Sequence, residues 1–562
     1  MKNTLEKLID KKISRRKLLK DSGKATAFLA FGSIFPTGFF ELTLFNKNKE
    51  KHTNNVFFNP ISPSDEDRLI LPEGFDFTII RKWGDKITET ENFGYNNDYV
   101  AYLPIDFLEG GNNSEDGLLV VNHEFPSPLF INGYTDDDFK NNKIKTKDEV
   151  EAEKKSVGIS VFRVKKENGK WEFIEDEKYN RRIDANTLFK ICGKAAGSVE
   201  IKSVEFAKGT LANCSGGITP WGSMLSGEEN YQDYFTSKNM WEYRWNDVET
   251  DFNTDHYGWV VEIDPFDKNS VPKKRTSLGR FRHENVAIII SSGNKKAVAY
   301  MGDDIIDQCV YKFISKNSYE EKVRSNNLDI LDEGDLYVAD FENNKWQLVD
   351  YEERPELKNN FMSQADVLVN CDTAAKMVGG TDCNRPEDIE INPLDNSVFI
   401  SFTNNFKKKD YFGSIVRIIE KNYDPSSLEF EWEVFATGGV ASGFSCPDNL
   451  TFDSYGNLWV MCDISSSWLN KDMQKSFKNN SLFMIPTSGE NKGKAFLFAS
   501  GPIDCEMCGG NFTPDGSTMF LSIQHPGENT ISLENPTSRW PNFGNDLPRP
   551  AVVAITGFKK KL

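Results

Sequence analysis

Phe452-Asp-Ser-Tyr-Gly-Asn-Leu-Trp-Val-Met461 sets a tight turn directly before a short strand. Asp453, Ser454, Gly456 and Asn457 are turn formers, because their side chains bond nearby backbone or, for glycine, admit positive φ. Leu458 to Met461 is an apolar run of strand length. The same layout recurs at Asn392-Pro-Leu-Asp-Asn-Ser-Val-Phe-Ile-Ser401 and at Phe512-Thr-Pro-Asp-Gly-Ser-Thr-Met-Phe-Leu521. The copies lie about 60 residues apart, the size of one propeller blade with insertions.

Working outward, further strands are expected at Gly117-Leu-Leu-Val-Val121, Gly258-Trp-Val-Val-Glu-Ile263, Ala297-Val-Ala-Tyr-Met301 and Asp335-Leu-Tyr-Val-Ala339. Helical periodicity is scarce. A β-sandwich with extra domains would use similar strands, but the recurring period favours an all-β propeller. Asp136 to Lys155 and Lys316 to Asn327 are dense in charge and read as solvated rim insertions or short helices. The domain reading is an N-terminal signal and linker over residues 1–45, then a single propeller over residues 46–562.

The chain carries 85 acidic against 67 basic residues, a net charge of −18. Such a surface repels a polyanion, so nucleic-acid binding is excluded. Most of the acid serves solubility, but carboxylates also suit hard cations. Nine cysteines, an odd number at low density, do not make a disulfide scaffold. Cys505 and Cys508 form a single C-x-x-C, which cannot close a four-ligand zinc site alone and reads as packing or an incidental disulfide.

Ser14-Arg15-Arg16-Lys17-Leu18-Leu19-Lys20 precedes a moderately apolar stretch from Ala25 to Phe40. The arginine pair before an apolar run fits a twin-arginine export signal, with the Tat translocase as partner and a periplasmic or extracellular destination. Gly32, Pro36 and Gly38 interrupt the run, so it makes a poor membrane span. No A-x-A cleavage site is visible, which leaves N-terminal anchoring open.

Acidic residues stand beside His, Cys, Gly or Pro where strands are expected to end. They are Asn122-His123-Glu124; Asn213-Cys214 with Glu228-Glu229-Asn230; Arg282-His283-Glu284-Asn285; Gly302-Asp303-Asp304; Arg385-Pro386-Glu387-Asp388; and Pro447-Asp448-Asn449 with Asp463. Singly, each reads more readily as structural: a His–Glu hydrogen bond or a buried thiol. A propeller, however, gathers strand ends at one mouth of its channel, where distant residues can build one multi-metal site. Neighbours alternate faces on a strand, so only one of Glu228 and Glu229 should face such a centre.

In this order, the motifs resemble the PhoX family of alkaline phosphatases. Phe93-Gly-Tyr-Asn-Asn-Asp98, Asn180-Arg-Arg-Ile183, Gly258 through Pro265, Tyr311-Lys-Phe313 and Gln524-His-Pro-Gly-Glu528 extend the resemblance from Trp83 to Glu528. It implies a six-bladed β-propeller whose mouth holds ferric and calcium ions and hydrolyses small phosphate esters, as a monomer. It implies Cys214 as an iron ligand. It implies Glu124, Glu228 or Glu229, Glu284 and Glu387 as iron or calcium ligands, with Asp303 or Asp304 and Asp448 as further candidates. Arg385 takes the phosphate-holding position, and Arg385, Glu387 and Cys214 form the expected catalytic set. Two departures stand out. Gly222-Ser-Met-Leu-Ser-Gly-Glu-Glu-Asn230 replaces the commoner G-T-x-L-T-C-E-E-N, and Asp388 stands where an aromatic is common. Around Gly197 to Lys202 no arginine offers a second phosphate clamp.

The chemistry agrees with the resemblance. Thiolate and carboxylate suit ferric iron, an all-oxygen set suits calcium, and phosphoryl transfer asks for positive charge around the transferred oxygens. Two other readings compete: a calcium-stabilised binding propeller with degenerate catalysis, and a lactonase or phosphotriesterase needing fewer metals.

Overall fold

The computed structural model describes residues 4–12, 56–234, 243–249 and 252–558. The described residues form seven sheets, six of them antiparallel-based blades of a six-bladed β-propeller around one axis and the seventh a two-stranded pair of Ile306–Gln308 with Cys383–Asn384. The innermost strands, in chain order, are Asn97–Pro104, Asn213–Ile218, Ala287–Ile290, Pro386–Ile391, Pro447–Phe452 and Glu506–Phe512. We number the blades one to six in that order. Each inner strand packs beside the next, and the sixth returns to the first. The ring is closed within blade six, where Asp76–Lys82 pairs antiparallel with Ala551–Thr556.

The three recurring turn–strand phrases are the inner-to-second connection of blades four, five and six. Their strands are Val398–Phe402, Leu458–Cys462 and Thr518–Gln524. All three are buried throughout, because each blade is sandwiched between two others. Full burial on both faces explains why they read as unbroken apolar runs rather than as alternation. Trp459, Met461 and Met484 of blade five meet Met519, Leu521 and Val553 of blade six in one core. Blade two departs from the simple meander: Lys273–Arg275 pairs in parallel with the earlier strand Leu188–Cys192.

Inner strands of different blades share little backbone pairing, so side chains stitch them together. Asn122 of blade one donates to the carbonyls of Cys214 and Ser215 in blade two. Asn285 of blade three donates to Ile389 O in blade four, and Asp388 of blade four accepts from Leu450 N in blade five. Asn449 of blade five accepts from Gly509 N in blade six at 2.6 Å, and Asn511 of blade six accepts from Tyr102 N in blade one. Asp388, one of the departures from the resemblance noted in the sequence, is thus one of the stitches.

The charge-rich stretch from Asp136 to Lys155 forms short helices, as expected, at Asp136–Lys140 and Lys147–Ser156. It is not wholly solvated, however. Lys145 and Glu153 form a fully buried ion pair at 2.5 Å, which Asn132 and Trp245 complete. Burial of both charges is offset by this mutual pairing and the added hydrogen bonds. Lys316 to Asn327 contains the end of a strand and a one-turn helix, Arg324–Asn327.

The twin arginines and the apolar stretch from Ala25 to Phe40 lie outside the described residues. Residues 5–12 are helical and pack on the propeller: Leu5 and Leu8 join the core of Phe341, Phe402 and Trp432. None of the described helices is long and apolar enough to cross a membrane.

Candidate metal centre

One local rule places the functional side chains. In five blades the inner strand is entered through a non-glycine residue with positive φ: Asn96, Ala212, Arg385, Cys446 and Asp504. Two positions later stands a potential ligand: Asp98, Cys214, Glu387, Asp448 and Glu506. Blade three keeps the spacing with Glu284, two after Arg282, without the positive φ. The left-handed residue costs about 1–3 kcal/mol per position and persists where surrounding structure over-determines it. Pairing slips just inside the strand at Asn97/Val100, Pro386/Ile389, Pro447/Leu450 and Cys508/Asn511. Bulges of this kind re-aim side chains, and here they sit beside the residues facing the channel.

The second strand of each blade ends at the same mouth. Glu124, Glu229, Asp304, Asp463 and Gln524 follow or close those strands in blades one, two, three, five and six. The result is a cleft of about 600 Å³ lined by Asp98, Glu124, Cys214, Glu229, Glu284, Asp304, Glu387, Asp448, Asp463, Glu506 and Glu528. Against these acids stands one guanidinium among the described lining residues, that of Arg385.

Distances show how tightly the acids are held. Cys214 Sγ lies 3.2 and 3.4 Å from the two carboxylate oxygens of Glu284 and 3.6 Å from Asp98 Oδ2. Four further ligand sets bring atoms within 4.8 Å of one another: Asp98–Glu124–Cys214, Cys214–Glu229–Glu284, Glu284–Glu387–Asp448 and Asp448–Asp463–Glu506. A related set joins Asp98 and Glu506 to Cys508. Gln524 bridges Asp98 and Glu124 with its amide at 3.0 and 2.8 Å, and Thr403 donates to Glu387 at 2.9 Å. Arg385 is forked onto Asp304 at 2.9 and 2.8 Å and reaches Glu387 at 2.7 Å.

Electrostatics follow from that geometry. Burial pushes the carboxyls of Glu124, Glu229, Glu284, Glu387, Asp448 and Glu506 well above their ordinary range, and neighbouring acids add to it. Asp98 is pushed up to about 7 by burial, against the pull of its hydrogen bond to Cys214. Burial raises the Cys214 thiol too. Asp304 goes the other way: burial presses it upward, but Arg385 outweighs that and holds it ionised.

The residues fit a cluster of cations. Two like charges 4 Å apart repel by about 4 kcal/mol at an effective dielectric of 20, so this many carboxylates cannot share the cleft ionised without counter-charge. Asp98 Oδ1 is buried and has no hydrogen-bond partner. The donor set is one thiolate, or two with Cys508, among oxygens.

Glu228 and Asp303 are not brought into these sets. Glu228 is turned to a fully buried Lys274 at 2.6 Å and accepts from Leu211, Gly258 and Trp259 N–H groups. Its carboxylate is therefore committed, and Glu229 is the one that faces the cleft. Asp303 accepts from Arg282 N at 3.3 Å, away from the acids that Asp304 faces. His123 and His283 are structural: the first is bonded to Tyr95 O and Ser160 Oγ, the second to Gly279 O. Asp98, Glu506 and Cys508 belong to the centre although the site motifs did not single them out. Cys505 and Cys508 are both free thiols rather than a disulfide, with Cys505 in the core and Cys508 Sγ 3.1 Å from Glu506. Arg282 approaches the cleft indirectly, through Asn230, which in turn donates to Glu229.

The raised carboxyls dictate the pH response of the metal-free protein. A group that binds its proton more tightly when folded stabilises the fold below its unfolded pKa, and that contribution is lost as pH rises through the folded value. Chelated protein should therefore lose stability as pH climbs from about 4 towards the value of about 7 for Asp98 and beyond. Added metal should abolish the decline. Thermal unfolding across pH, with and without chelator, measures this; a metal-free protein that gains stability over that window would contradict it.

A family model for alkaline phosphatase PhoX matches residues 56–527. Pseudomonas fluorescens PhoX, solved in complex with vanadate, a transition state analogue, superposes with a TM-score of 0.80 at 30% identity, over 89% of this chain and 97% of that one. Two distant structures are far less similar. XC5397, a gluconolactonase from Xanthomonas campestris, has a TM-score of 0.30 at 9% identity over 89% of this chain and 98% of its own. Trypanosoma rangeli sialidase has a TM-score of 0.33 at 9% identity over 87% and 60%. No curated protein sequence matches the chain.

Proposed function

Since the chain belongs to the alkaline phosphatase PhoX family and is a phosphomonoesterase, we propose that it is metal-dependent, that its six-bladed mouth holds iron(III) and calcium ions, and that it presents them, with Arg385, to the phosphate of a small ester. The observation that carries this reading is the convergence of Cys214 with carboxylates from every blade on a cleft with a single guanidinium among its described lining residues. Cys214 with Glu284, Glu229 and Asp98 would hold the thiophilic, higher-charged ion. The all-oxygen set of Glu284, Glu387 and Asp448 suits calcium, as does Asp448 with Asp463 and Glu506. When bound, such ions supply positive charge at the oxygens of the transferred phosphoryl group.

The chain's own groups do the rest. Asp304 and Glu387 hold the Nε and Nη2 edge of the Arg385 guanidinium and fix its orientation before substrate arrives, which leaves the Nη1 side of the planar group to donate to phosphate. Thr403 and Gln524 orient Glu387, Asp98 and Glu124 from behind. Ser465 and Ser466 line the same cleft, their hydroxyls bonded to Ser467 Oγ and Asn529 Oδ1. A second phosphate-holding arginine is absent from the described lining, so Arg385 carries that grip alone.

We also propose that residues 1–45 act as a twin-arginine export signal and linker, that residues 46–562 are one catalytic domain, and that the folded protein works as a monomer in the periplasm or outside the cell. Export of a folded chain suits a protein whose metals are loaded first. Elemental analysis should find iron and calcium together in natively exported protein, and orthovanadate should inhibit hydrolysis of a phosphate monoester competitively. Calcium without iron, with no vanadate effect, would overturn the proposed metal set and favour a calcium-stabilised binding propeller.

A further inference from the structure

Beside the metal cleft lies a second cleft of about 800 Å³ that opens to solvent. The two are continuous: Phe125, His525 and Glu528 line both. The wall is an insertion between the second and third strands of blade one, and local sequence shapes it. Ser127 caps the helix Pro128–Asn132, Gly133 ends it at φ 67°, and Thr135 with Asp138 forms a capping box on Asp136–Lys140. These turns bring Phe130, Tyr134 and Phe139 to one side, where Tyr134 and Phe139 meet edge to face at 4.7 Å. Tyr95 stacks on Phe130 behind them, and Ile531 closes the opposite rim.

The charge of this cleft is one-sided. Asp136 and Glu528 line it, and no lysine or arginine does so among the described residues. Asn96, wholly buried in the wall of this second cleft, has neither side-chain oxygen nor nitrogen paired, and so holds an uncommitted amide beside the ligand space.

We propose that this aromatic cleft receives the organic part of the ester and selects alcohols that are apolar and carry no anionic group. The proposal rests on the phosphatase reading of the neighbouring centre. A phosphate held by Arg385 has its alcohol oxygen directed along the continuous surface past Phe125. An apolar substituent there removes aromatic and aliphatic surface from water. A carboxylate or second phosphate meets Asp136 and Glu528 with no lysine or arginine among the described lining residues, and His525, the one imidazole there, already faces Glu528 at 3.7 Å and Glu506 at 3.5 Å.

The test compares kcat/KM for three alkyl phosphates of similar leaving-group strength: 2-phenylethyl, ethyl and 3-carboxypropyl phosphate. 2-Phenylethyl phosphate should exceed ethyl phosphate by at least about tenfold, and 3-carboxypropyl phosphate should fall below it. Phe139→Ala should shrink the first ratio. Ile531→Lys, at a residue 79% exposed and hence safe for folding, should raise 3-carboxypropyl relative to ethyl phosphate. Equal turnover of the three esters, or ratios unmoved in both variants, overturns the cleft's role while leaving the phosphatase intact. Failure to hydrolyse any of them overturns the phosphatase reading and this inference together.

Discussion

A Glu284→Gln variant should fold, lose bound metal and hydrolyse phosphate monoesters at least about 10³-fold more slowly. Glu284 is shared by two ligand sets, one with Cys214 and Glu229, the other with Glu387 and Asp448. Its oxygens are the nearest of any carboxylate to the Cys214 sulfur. Glutamine keeps the shape and preserves a contact for Asn449, which now donates to Glu284 Oε1 at 3.4 Å. The charge alone is removed. In chelated protein that change relieves repulsion among buried acids, so metal-free Glu284→Gln should melt at a higher temperature than metal-free wild type. In the presence of metal the order should reverse. Elemental analysis, phosphate release and paired melting curves read all three effects. A variant with full metal content and full turnover would remove Glu284 from the centre.

Arg385→Ala should cost about 10³-fold in kcat/KM, the lower range for an arginine that stabilises a transferring phosphoryl group. Arg385→Lys should recover part of the loss, because charge returns but the planar fork does not. The size of the effect follows from solitude: no other guanidinium lines the cleft among the described residues. A second consequence separates this variant from a general loss of structure. Asp304 and Glu387 lose their partner, so they become additional cation ligands, and calcium retention should hold steady or rise while vanadate inhibition weakens. Unchanged vanadate inhibition in Arg385→Ala would remove the arginine from the phosphate grip.

The fold was legible where insertions were short. Blades four, five and six repeat at about 60 residues, so their turn–strand phrases stand out. The early blades are obscured by physical insertions: the helices between Phe125 and Ser156, and the parallel addition of Leu188–Cys192, which no spacing rule predicts. Of the site, residues beside a conspicuous neighbour were readable, such as Glu387 after Arg385-Pro386. Asp98 and Glu506 lie in equivalent places, but Asn97 stands only in a family phrase and Cys505 stands out only as half of a C-x-x-C, so neither marks its neighbour as a ligand. The signal that could have found them is positional. Asn96-Asn-Asp98, Ala212-Asn-Cys214, Arg282-His-Glu284, Arg385-Pro-Glu387, Cys446-Pro-Asp448 and Asp504-Cys-Glu506 are six copies of one triplet. An aliphatic residue follows two places on in four of them: Val100, Val286, Ile389 and Leu450. The choice between Glu228 and Glu229 was beyond sequence, since it depends on Lys274, a residue 46 positions away that claims one of them.

Each blade contributes to the cleft, and side-chain stitches cross five of the six boundaries between blades. The set of Asp98, Glu506 and Cys508 draws on the first and the last blade, so it cannot assemble in a nascent chain until the stretch containing Cys508 has been made and the circle has joined. A cation that needs this set would be held only by the finished ring, and a chain clipped before blade six would lack that seat while keeping the residues of those built from blades two to five.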